Sequence, residues 1–388
     1  MFGYLNLAIG YYLIIGLPAR SRFGEGRCLE FGDYQFITLA MKPLIIPIFL
    51  PYQGCRERCL FCNQKAASEG LLSPSSVRDF IKASLNSSPP KKKDREKQVA
   101  FYGGSFTAIH KDDQVHYLKE VQPFFASGLV DSIRVSTRPD ALDEETLSLL
   151  KEYHVKTVEL GVQSMIDEVL LFAHRGHFAA DTVDAVSRLK GMKFEVGLQL
   201  MIGLPADTFD RFFQTLDQII ELKPDFVRIH PTLVLKGASL ETLWRDGEYS
   251  PLLLDEAVQW LKKGILKLER ASISVARIGL QPTKELERDF LAGPYHPALH
   301  QLIDSGIFFD MATSLLKTSQ INGRALFLCH PKEVSNLRGQ RNENILKLKS
   351  HFKLSEILID GRQELPRGCL GLQAQGGEVS IRRKSLVF

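Results

Sequence analysis

The stretch Leu44–Gln64, "LIIPIFLPYQGCRERCLFCNQ", joins a short apolar run to a loop that contains three of the chain's six cysteines. The three are Cys55, Cys59 and Cys62, in a C-x3-C-x2-C spacing. A short run of apolar and β-branched residues that ends in such a loop predicts a buried strand of a parallel sheet. The loop then lies at the carboxyl end of that strand, where α/β barrels place their functional groups.

The rest of the chain repeats this arrangement, with short strands followed by amphipathic helices. The predicted strands are Leu44–Phe49, Val99–Tyr102, Ser132–Ser136, Thr157–Leu160, Glu195–Leu200 and Phe226–Ile229. The predicted helices are Ser75–Leu85, Asp112–Ser127, Asp143–Tyr153, Ala180–Leu189, Thr208–Leu222 and Leu254–Glu269. Six strand–helix units indicate an α/β fold with parallel strands and right-handed crossovers. The sequence therefore predicts a partial (β/α)6 TIM-like barrel whose strand-end loops face one mouth.

The pattern divides the chain into three segments. Residues 1–40 are an N-terminal extension that we expect to lie outside the native ordered protein, because Met41 opens the first strand–loop segment. Residues 41–300 form the predicted barrel. Residues 301–388 lose the regular alternation and predict a small C-terminal α/β domain.

The composition is that of an intracellular globular protein. Of the 388 residues, 44% are hydrophobic and 24% are charged, and the net charge of +4 does not by itself argue for a nucleic-acid partner. Six cysteines are too few for a disulfide scaffold, which favours a cytoplasmic location. The apolar run Leu5–Leu17 is shorter than the roughly 20 residues that span a bilayer, so we expect no membrane association.

The three clustered thiols allow three interpretations. A structural zinc site needs four ligands, and Cys329 and Cys369 lie far away in the sequence. A redox dithiol would use one C-x-x-C pair and leave Cys55 without a role. An iron–sulfur cluster held by three thiolates keeps one iron open for a substrate or cofactor, and Phe61 beside the last cysteine would shield it.

Further motifs also follow the predicted strands. They are "YGGSFTAI", "STRPDAL", "VELGVQS", "RGH", "GLQLMIGLP", "PTLVLKG" and, after the last strand, "LAGPYHPAL". With "IPIFLPYQGC" and "CLFCNQ", they resemble the radical S-adenosylmethionine (radical SAM) superfamily over residues 41–300, and within it the Elongator catalytic subunit and its short bacterial relatives. The predicted barrel is also similar to oxygen-independent coproporphyrinogen oxidases.

The resemblance implies a [4Fe–4S] cluster on Cys55, Cys59 and Cys62, with SAM on the open iron. It further implies SAM contacts after each strand, made by Phe61, Gly103, Gly104, Ser105, Glu159, Gln163, Ser164, Arg175, Gln199, Met201 and Pro231. Ordinary structural roles are open for the same residues. The glycine pair could form a simple turn, Gln163 and Ser164 could make structural hydrogen bonds, and Arg175 could cap a helix.

Two departures from the family bear on function. Gly103-Gly104-Ser105 replaces the usual "GGE", so backbone contacts survive while an acidic side chain is absent. The last ninety or so residues are too short for the acetyltransferase domain of the Elongator enzyme, and neither "RGCLGL" nor "RGQRN" matches its acyl-CoA loop. The resemblance leaves the substrate and product open.

The expected function is a radical SAM enzyme that cleaves SAM reductively to a 5′-deoxyadenosyl radical. The resemblance implies a low-potential electron donor and a substrate linked to tRNA as partners. Two alternatives stay open: a cluster-containing module that binds tRNA or a protein partner without turning over SAM, and a zinc-stabilised scaffold.

Overall fold

The computed structural model describes residues 43–56, 58–63, 73–87, 95–319, 321, 323–374 and 377–387. The predicted extension, residues 1–40, lies outside the described residues. From residue 42 onward the chain forms one compact unit.

A curved sheet of seven parallel strands forms the centre of this unit. Its order is β1-β2-β3-β4-β5-β6-β8. The strands are β1 (Leu44–Leu50), β2 (Lys97–Gly103), β3 (Ser132–Thr137), β4 (Val155–Gln163), β5 (Glu195–Ile202), β6 (Phe226–Pro231) and β8 (Ser274–Ile278). The predicted α/β half-barrel and its six strands are confirmed. The seventh strand, β8, was missed because its sequence "SVARI" is short and is interrupted by polar residues.

Helices cover the outer face of this sheet and complete its core. They are α1 (Pro74–Asn86), α2 (Lys111–Ala126), α3 (Glu144–Glu152), α4 (Asp167–Phe172), α5 (Ala179–Gly191), α6 (Phe209–Leu222) and α8 (Leu254–Arg270). Alternate strand residues such as Ile46, Ile48 and Leu50 are buried against the helices. Because successive strand residues point to opposite faces, the other set lines the inside of the barrel.

A short excursion follows β6 at the mouth of the barrel. It consists of β7 (Val234–Leu235), α7 (Ser239–Arg245), α9 (Lys284–Asp289) and β9 (Phe290–Ala292), with β7 and β9 paired antiparallel. A small apolar cluster of Leu60, Val234, Leu240 and Tyr249 packs this excursion against the loop that follows β1.

A second sheet of four strands occupies the C-terminal part of the chain. Its order is β11-β10-β12-β13, and we call it the C-terminal sheet: β10 (Arg324–Cys329), β11 (Glu356–Gly361), β12 (Cys369–Ala374) and β13 (Gly377–Arg382). Helix α10 (Leu299–Ser319) packs against both α8 and this sheet. Helices α11 (Val334–Arg338) and α12 (Glu343–Phe352) complete the layer. The domain boundary at residue 300 stays a prediction.

No helix in the described part of the chain is long and apolar enough to cross a membrane. The longest helix, α10, carries apolar residues through its whole length because it lies between the barrel and the C-terminal sheet.

Candidate active site at the mouth of the barrel

The cysteine loop, residues 51–63 after β1, is held by backbone hydrogen bonds to segments that follow β2, β4 and β6 in the chain, two of which are the end of α4 and the start of α7. Ser105 N, after β2, donates to Gln53 O over 2.7 Å, and Leu60 N donates to Ala173 O over 3.2 Å. Leu240 N, after β6, donates to Leu60 O over 2.8 Å. The loop therefore lies across the carboxyl ends of the strands, as the sequence predicts.

The turn at Gly103-Gly104 is shaped by the cysteine loop above it. A Cβ atom at Gly104 would collide with the backbone of Gln53, and one at Gly54 would collide with Ser105 O. Gly54 also has φ of +71°, which L side chains rarely adopt. Glycine is needed here so that the two loops can approach each other backbone to backbone.

Arg175 links the cysteine loop to the end of β4. Its Nη1 donates to Cys59 Sγ over 3.0 Å, and its Nη2 donates to Gly161 O over 2.5 Å. The side chain is only 6% exposed, and Nε has no hydrogen-bond partner among the described residues. Of the predicted SAM contacts, both Arg175 and Ser105 lie against predicted cluster ligands, since the backbone of Ser105 bonds the thiol of Cys55.

Opposing influences act on the pKa of the Cys55 thiol. Burial raises it above 9.0, Cys59 raises it further, and Arg175 and Arg138 oppose the rise. Arg138 holds Asp140 through two hydrogen bonds of 2.9 and 2.8 Å. Sequence reasoning did not single out Arg138, although it follows β3 directly in "STRPD".

His177 is a second residue that sequence reasoning missed, although it belongs to the quoted "RGH". It is 3% exposed, and burial followed by the charge of Arg175 lowers its pKa to about 4. A neutral imidazole is therefore buried beside the arginine that contacts Cys59.

Phe61 and Met201 contact the same apolar cluster at the mouth. Phe61 packs against a group formed by Val169, Ala173, Met201 and Leu204, and also against Val234 and its neighbours. Pro231 and Gln199 lie on β6 and β5 of the same wall. The aromatic ring beside the last cysteine thus packs among residues of α4, the end of β5 and β7.

The residues predicted after β4 separate into two groups. Gln163 is buried at the end of the strand with φ of +68°, and its Oε1 has no partner among the described residues. Ser164 instead bonds Thr215 Oγ1 of α6 over 3.2 Å and accepts from Ile166 N over 3.1 Å, on the helical side of the sheet.

Glu159 lies inside the barrel and is fully engaged by neighbouring side chains. It accepts from Arg134 Nη1 over 2.5 Å and from Tyr102 OH over 3.2 Å, and it pairs with Arg228 Nε over 2.9 Å. Its charged partners are two arginines. Ser105 is likewise engaged, since its hydroxyl contacts Thr137 Oγ1 over 3.0 Å and accepts from Arg138 N over 3.2 Å.

A cavity of about 570 Å³ opens beside the cysteine loop. Its lining includes Leu60, the turn after β5 and the segment before α8, with Asp207 and Tyr249 among its polar groups. Burial raises the pKa of Asp207 to about 7, even though its carboxylate accepts from Gly203 N and Thr208 N.

No three His, Cys, Asp or Glu side chains within the described residues are grouped closely enough to hold one metal ion. A cubane cluster does not require that convergence, because each thiolate binds a different iron. The donor set of three thiols on one loop, with an arginine and an unpartnered glutamine oxygen nearby, fits a cluster together with a polar ligand.

Sequence profiles identify the class of protein. The profile of the Radical SAM superfamily matches residues 49–219, and that of the Radical_SAM C-terminal domain matches residues 224–307. Together they cover more than half of the chain, and the chain belongs to the radical SAM superfamily of enzymes. The resemblance that the motifs indicate is confirmed.

Individual relatives place the chain within that class. It is 35% identical over 128 residues to a tRNA uridine(34) acetyltransferase of Methanocaldococcus jannaschii, which is 32% of this chain and 24% of that protein. It is 27% identical over 207 residues to Protein YhcC of Escherichia coli, which is 52% of this chain and 64% of that one. The chain thus spans about a quarter of the acetyltransferase.

A solved structure shows the same fold. The archaeal Methanocaldococcus infernus Elp3 with an N-terminal deletion superposes with a TM-score of 0.56 at 20% identity, covering 72% of this chain and 63% of that one. This similarity agrees with the partial barrel fold that the sequence predicts.

Proposed function

We propose that this radical SAM enzyme holds a [4Fe–4S] cluster through Cys55, Cys59 and Cys62 and binds SAM at the same mouth of the barrel. The observation that carries the proposal is the buried guanidinium of Arg175, which contacts Cys59 Sγ and whose Nε has no hydrogen-bond partner in the described part of the chain. A planar guanidinium suits a carboxylate such as that of SAM.

The chain's own groups supply binding and orientation. The backbone of Gly103 and Gly104 offers polar groups that a methionine amino group could approach, since no side chain intervenes. Gln163 Oε1, which has no partner within the described ranges, could accept a hydrogen bond from a ribose hydroxyl. Phe61 and Met201 offer an apolar surface for the adenine, with Gln199 and the backbone near Pro231 beside it.

When bound, a reduced cluster supplies the electron that cleaves SAM to methionine and a 5′-deoxyadenosyl radical. The protein's role is to exclude water and to hold the cofactor and the substrate in position relative to each other. Phe61 packs between two apolar clusters, and this packing excludes water from the mouth of the barrel. Cluster reduction requires a low-potential electron donor as a partner.

The substrate that we propose is linked to tRNA, and the site of action is the cytoplasm. Support comes from the relatives whose name specifies a tRNA uridine. Because the matched region is a quarter of such a relative, the acetyl transfer of that relative is not part of the proposal.

Anaerobic reconstitution tests the proposal. The protein should take up about four irons per chain and should release 5′-deoxyadenosine from SAM when dithionite is added. Stoichiometric zinc without SAM cleavage would contradict the proposal. Cluster assembly without cleavage would favour a binding module instead.

The substrate is tested separately in cells. Nucleosides from digested tRNA are compared by mass spectrometry between cells with and without the gene. We expect one modified nucleoside to disappear with the gene and to return with the unmodified protein but not with a Cys59→Ala variant. Identical profiles would contradict a tRNA substrate while leaving SAM cleavage intact.

A further inference from the structure

Three arginines from different strands meet inside the barrel. Arg228 of β6 bonds Tyr102 OH of β2 over 3.1 Å and pairs with Glu159 of β4 over 2.9 Å. These strands are not neighbours in the sheet, so their side chains meet across the interior. Arg134 of β3 contacts the same carboxylate.

Arg277 extends this group to the edge strand β8. In the pairing of parallel strands, Gln199, Arg228 and Arg277 lie opposite one another on β5, β6 and β8. Adjacent strands lie about 4.8 Å apart, so the three residues form one row. His230 lies two residues beyond Arg228, on the same face of β6 and closer to the mouth.

The charges of this group do not balance. Arg134 and Arg228 share Glu159, and Glu195 also acts on Arg134. Among the residues that the structure describes, Arg277 donates to two neutral acceptors, Gly279 O over 3.3 Å and Gln281 Oε1 over 2.5 Å.

The charged or titratable groups that act on Arg277 are Arg228, which repels it, and Tyr102. Burial, and then Arg228, lowers the pKa of Arg277. A guanidinium held beside another guanidinium is unfavourable until an anion joins it.

His230 provides a second polar group close to Arg277. Its Nε2 is buried and has no hydrogen-bond partner among the described residues. Burial, followed by the charges of Arg228 and Arg277, lowers its pKa to about 3, so the ring is neutral at physiological pH. A neutral imidazole can donate one hydrogen bond, and leaving a buried polar atom unpaired is costly.

We propose that Arg277 and His230 form an anion-binding site on the β6–β8 side of the barrel that receives a phosphate or carboxylate group of the substrate. This inference deepens the proposed function, on which it rests for the identity of the bound molecule as substrate. The site lies on β6 and the edge strand β8, whereas the cysteine loop follows β1 and Arg175 follows β4. SAM would thus reach from the cysteine loop to the ends of β5 and β6, and the anionic group of the substrate would lie beside it toward β8.

Titration of inorganic phosphate and of acetate into the anaerobically reconstituted protein tests the site. Calorimetry is run in chloride at constant ionic strength, so that nonspecific screening is matched. We expect saturable binding of at least one anion, and Arg277→Gln should weaken it at least about tenfold, as for loss of one charge-assisted hydrogen bond. Arg277→Lys keeps the charge and should weaken it less.

Arg338→Gln is the matched control, because Arg338 is exposed at the end of α11. It should retain the affinity of the unmodified protein, and thermal melts should show that all variants fold. Stronger binding of phosphate identifies a phosphate-bearing substrate, and stronger binding of acetate identifies a carboxylate.

Two results would overturn the proposal. One is an anion affinity that is the same in Arg277→Gln and the unmodified protein, or absent from both. The other is displacement of the anion by saturating SAM, which would assign the site to SAM itself. Failure of the unmodified protein to cleave SAM would contradict the proposed function while leaving the anion titration unaffected.

Discussion

The cysteine loop and the C-terminal sheet place cysteines beside different sets of charged groups. In the cysteine loop, Arg175 donates to Cys59, and both Arg175 and Arg138 oppose the burial that raises the pKa of Cys55. Cationic neighbours favour the thiolate, which is the form that binds metals. The surroundings of this loop suit cysteines that act as ligands.

The C-terminal sheet holds its cysteines within strands. Cys329 is fully buried at the end of β10, and burial, Glu333 and Asp360 together raise its pKa to about 11. Burial also raises the pKa of Cys369 on β12. Thiols kept protonated in this way behave as small apolar side chains. An arginine, Arg382, also opposes the rise in the pKa of Cys369, so one arginine does not separate the two sets. The difference is that Cys55 lies beside two arginines, Arg138 and Arg175, whereas Glu333 raises the pKa of both C-terminal cysteines.

The largest expected effect comes from removing single cysteines. Cys55→Ala, Cys59→Ala and Cys62→Ala should each lower the iron content after anaerobic reconstitution from about four per chain to near zero. Each variant removes one of only three thiolate ligands. Iron and sulfide assays, together with the absorbance of the cluster, measure the loss.

Cys329→Ala and Cys369→Ala are the matched controls from the C-terminal sheet. Both should retain the full iron content, with some loss of stability from the space left in the core. A cluster lost from either control would break the comparison, because it would give the C-terminal sheet a ligand.

The next effect concerns how closely each region is packed around a glycine. Gly104→Ala places a methyl group against the backbone of Gln53, so the cysteine loop has to shift. We expect a loss of about 1–3 kcal/mol in the free energy of unfolding, the usual cost of overpacking. Urea denaturation measures it, and retention of iron on dilution reports on the loop itself.

Gly371→Ala in β12 is the corresponding change in the C-terminal sheet. Its nearest neighbour is Glu378 Oε1, the end of a flexible side chain, so accommodation should cost less than at Gly104. Equal destabilisation by the two variants would contradict the close approach of the two backbone segments at the mouth.

The comparison also shows which parts of the site could be predicted from the sequence. The cysteines and the glycine pair lie in local sequence motifs. Each motif lies at the end of a strand, and the apolar run before it predicts that strand. Arg175 was predicted to meet a carboxylate, and the structure adds its contact with Cys59, which lies 116 residues away in the sequence. Such contacts depend on the curvature of the sheet and cannot be obtained from spacing alone.

Other features escaped prediction because their local signals are weak. Strand β8 has only five residues, and two of them, Ser274 and Arg277, are polar. It is held in the sheet by its pairing with β6. His177 and Arg138 belong to quoted motifs. The burial of His177 beside Arg175, and of Arg138 beside Cys55, follows from tertiary packing. The partners of Glu159 come from three other strands, so spacing along the sequence does not identify them.

A third prediction compares arginines. Arg175→Gln removes a buried guanidinium with contacts to Cys59 and Gly161, and we expect the Kd for SAM to rise about 10–100-fold, as for a lost charged hydrogen bond. Equilibrium dialysis with variants of full iron content measures it. Arg362→Gln breaks an exposed pair with Asp360 and should leave SAM affinity unaltered. Unaltered affinity in Arg175→Gln would remove this residue from the SAM site.

The smallest effect is a pH dependence that originates at Asp207, beside the mouth. Its pKa is about 7 in the folded protein, against an ordinary value of 3.8, because burial outweighs its hydrogen bonds from Gly203 N and Thr208 N. The folded state therefore holds a proton that the unfolded chain has already lost between pH 4 and 7. The free energy of unfolding contributed by this group must fall as the pH rises through that window. Asp207→Asn cannot titrate, so its stability should depend less steeply on pH there, whereas exposed Asp255→Asn should keep the original slope. Urea denaturation at several pH values measures both slopes, and identical slopes in the two variants would show that Asp207 ionises normally and that the cavity beside the cysteine loop admits water.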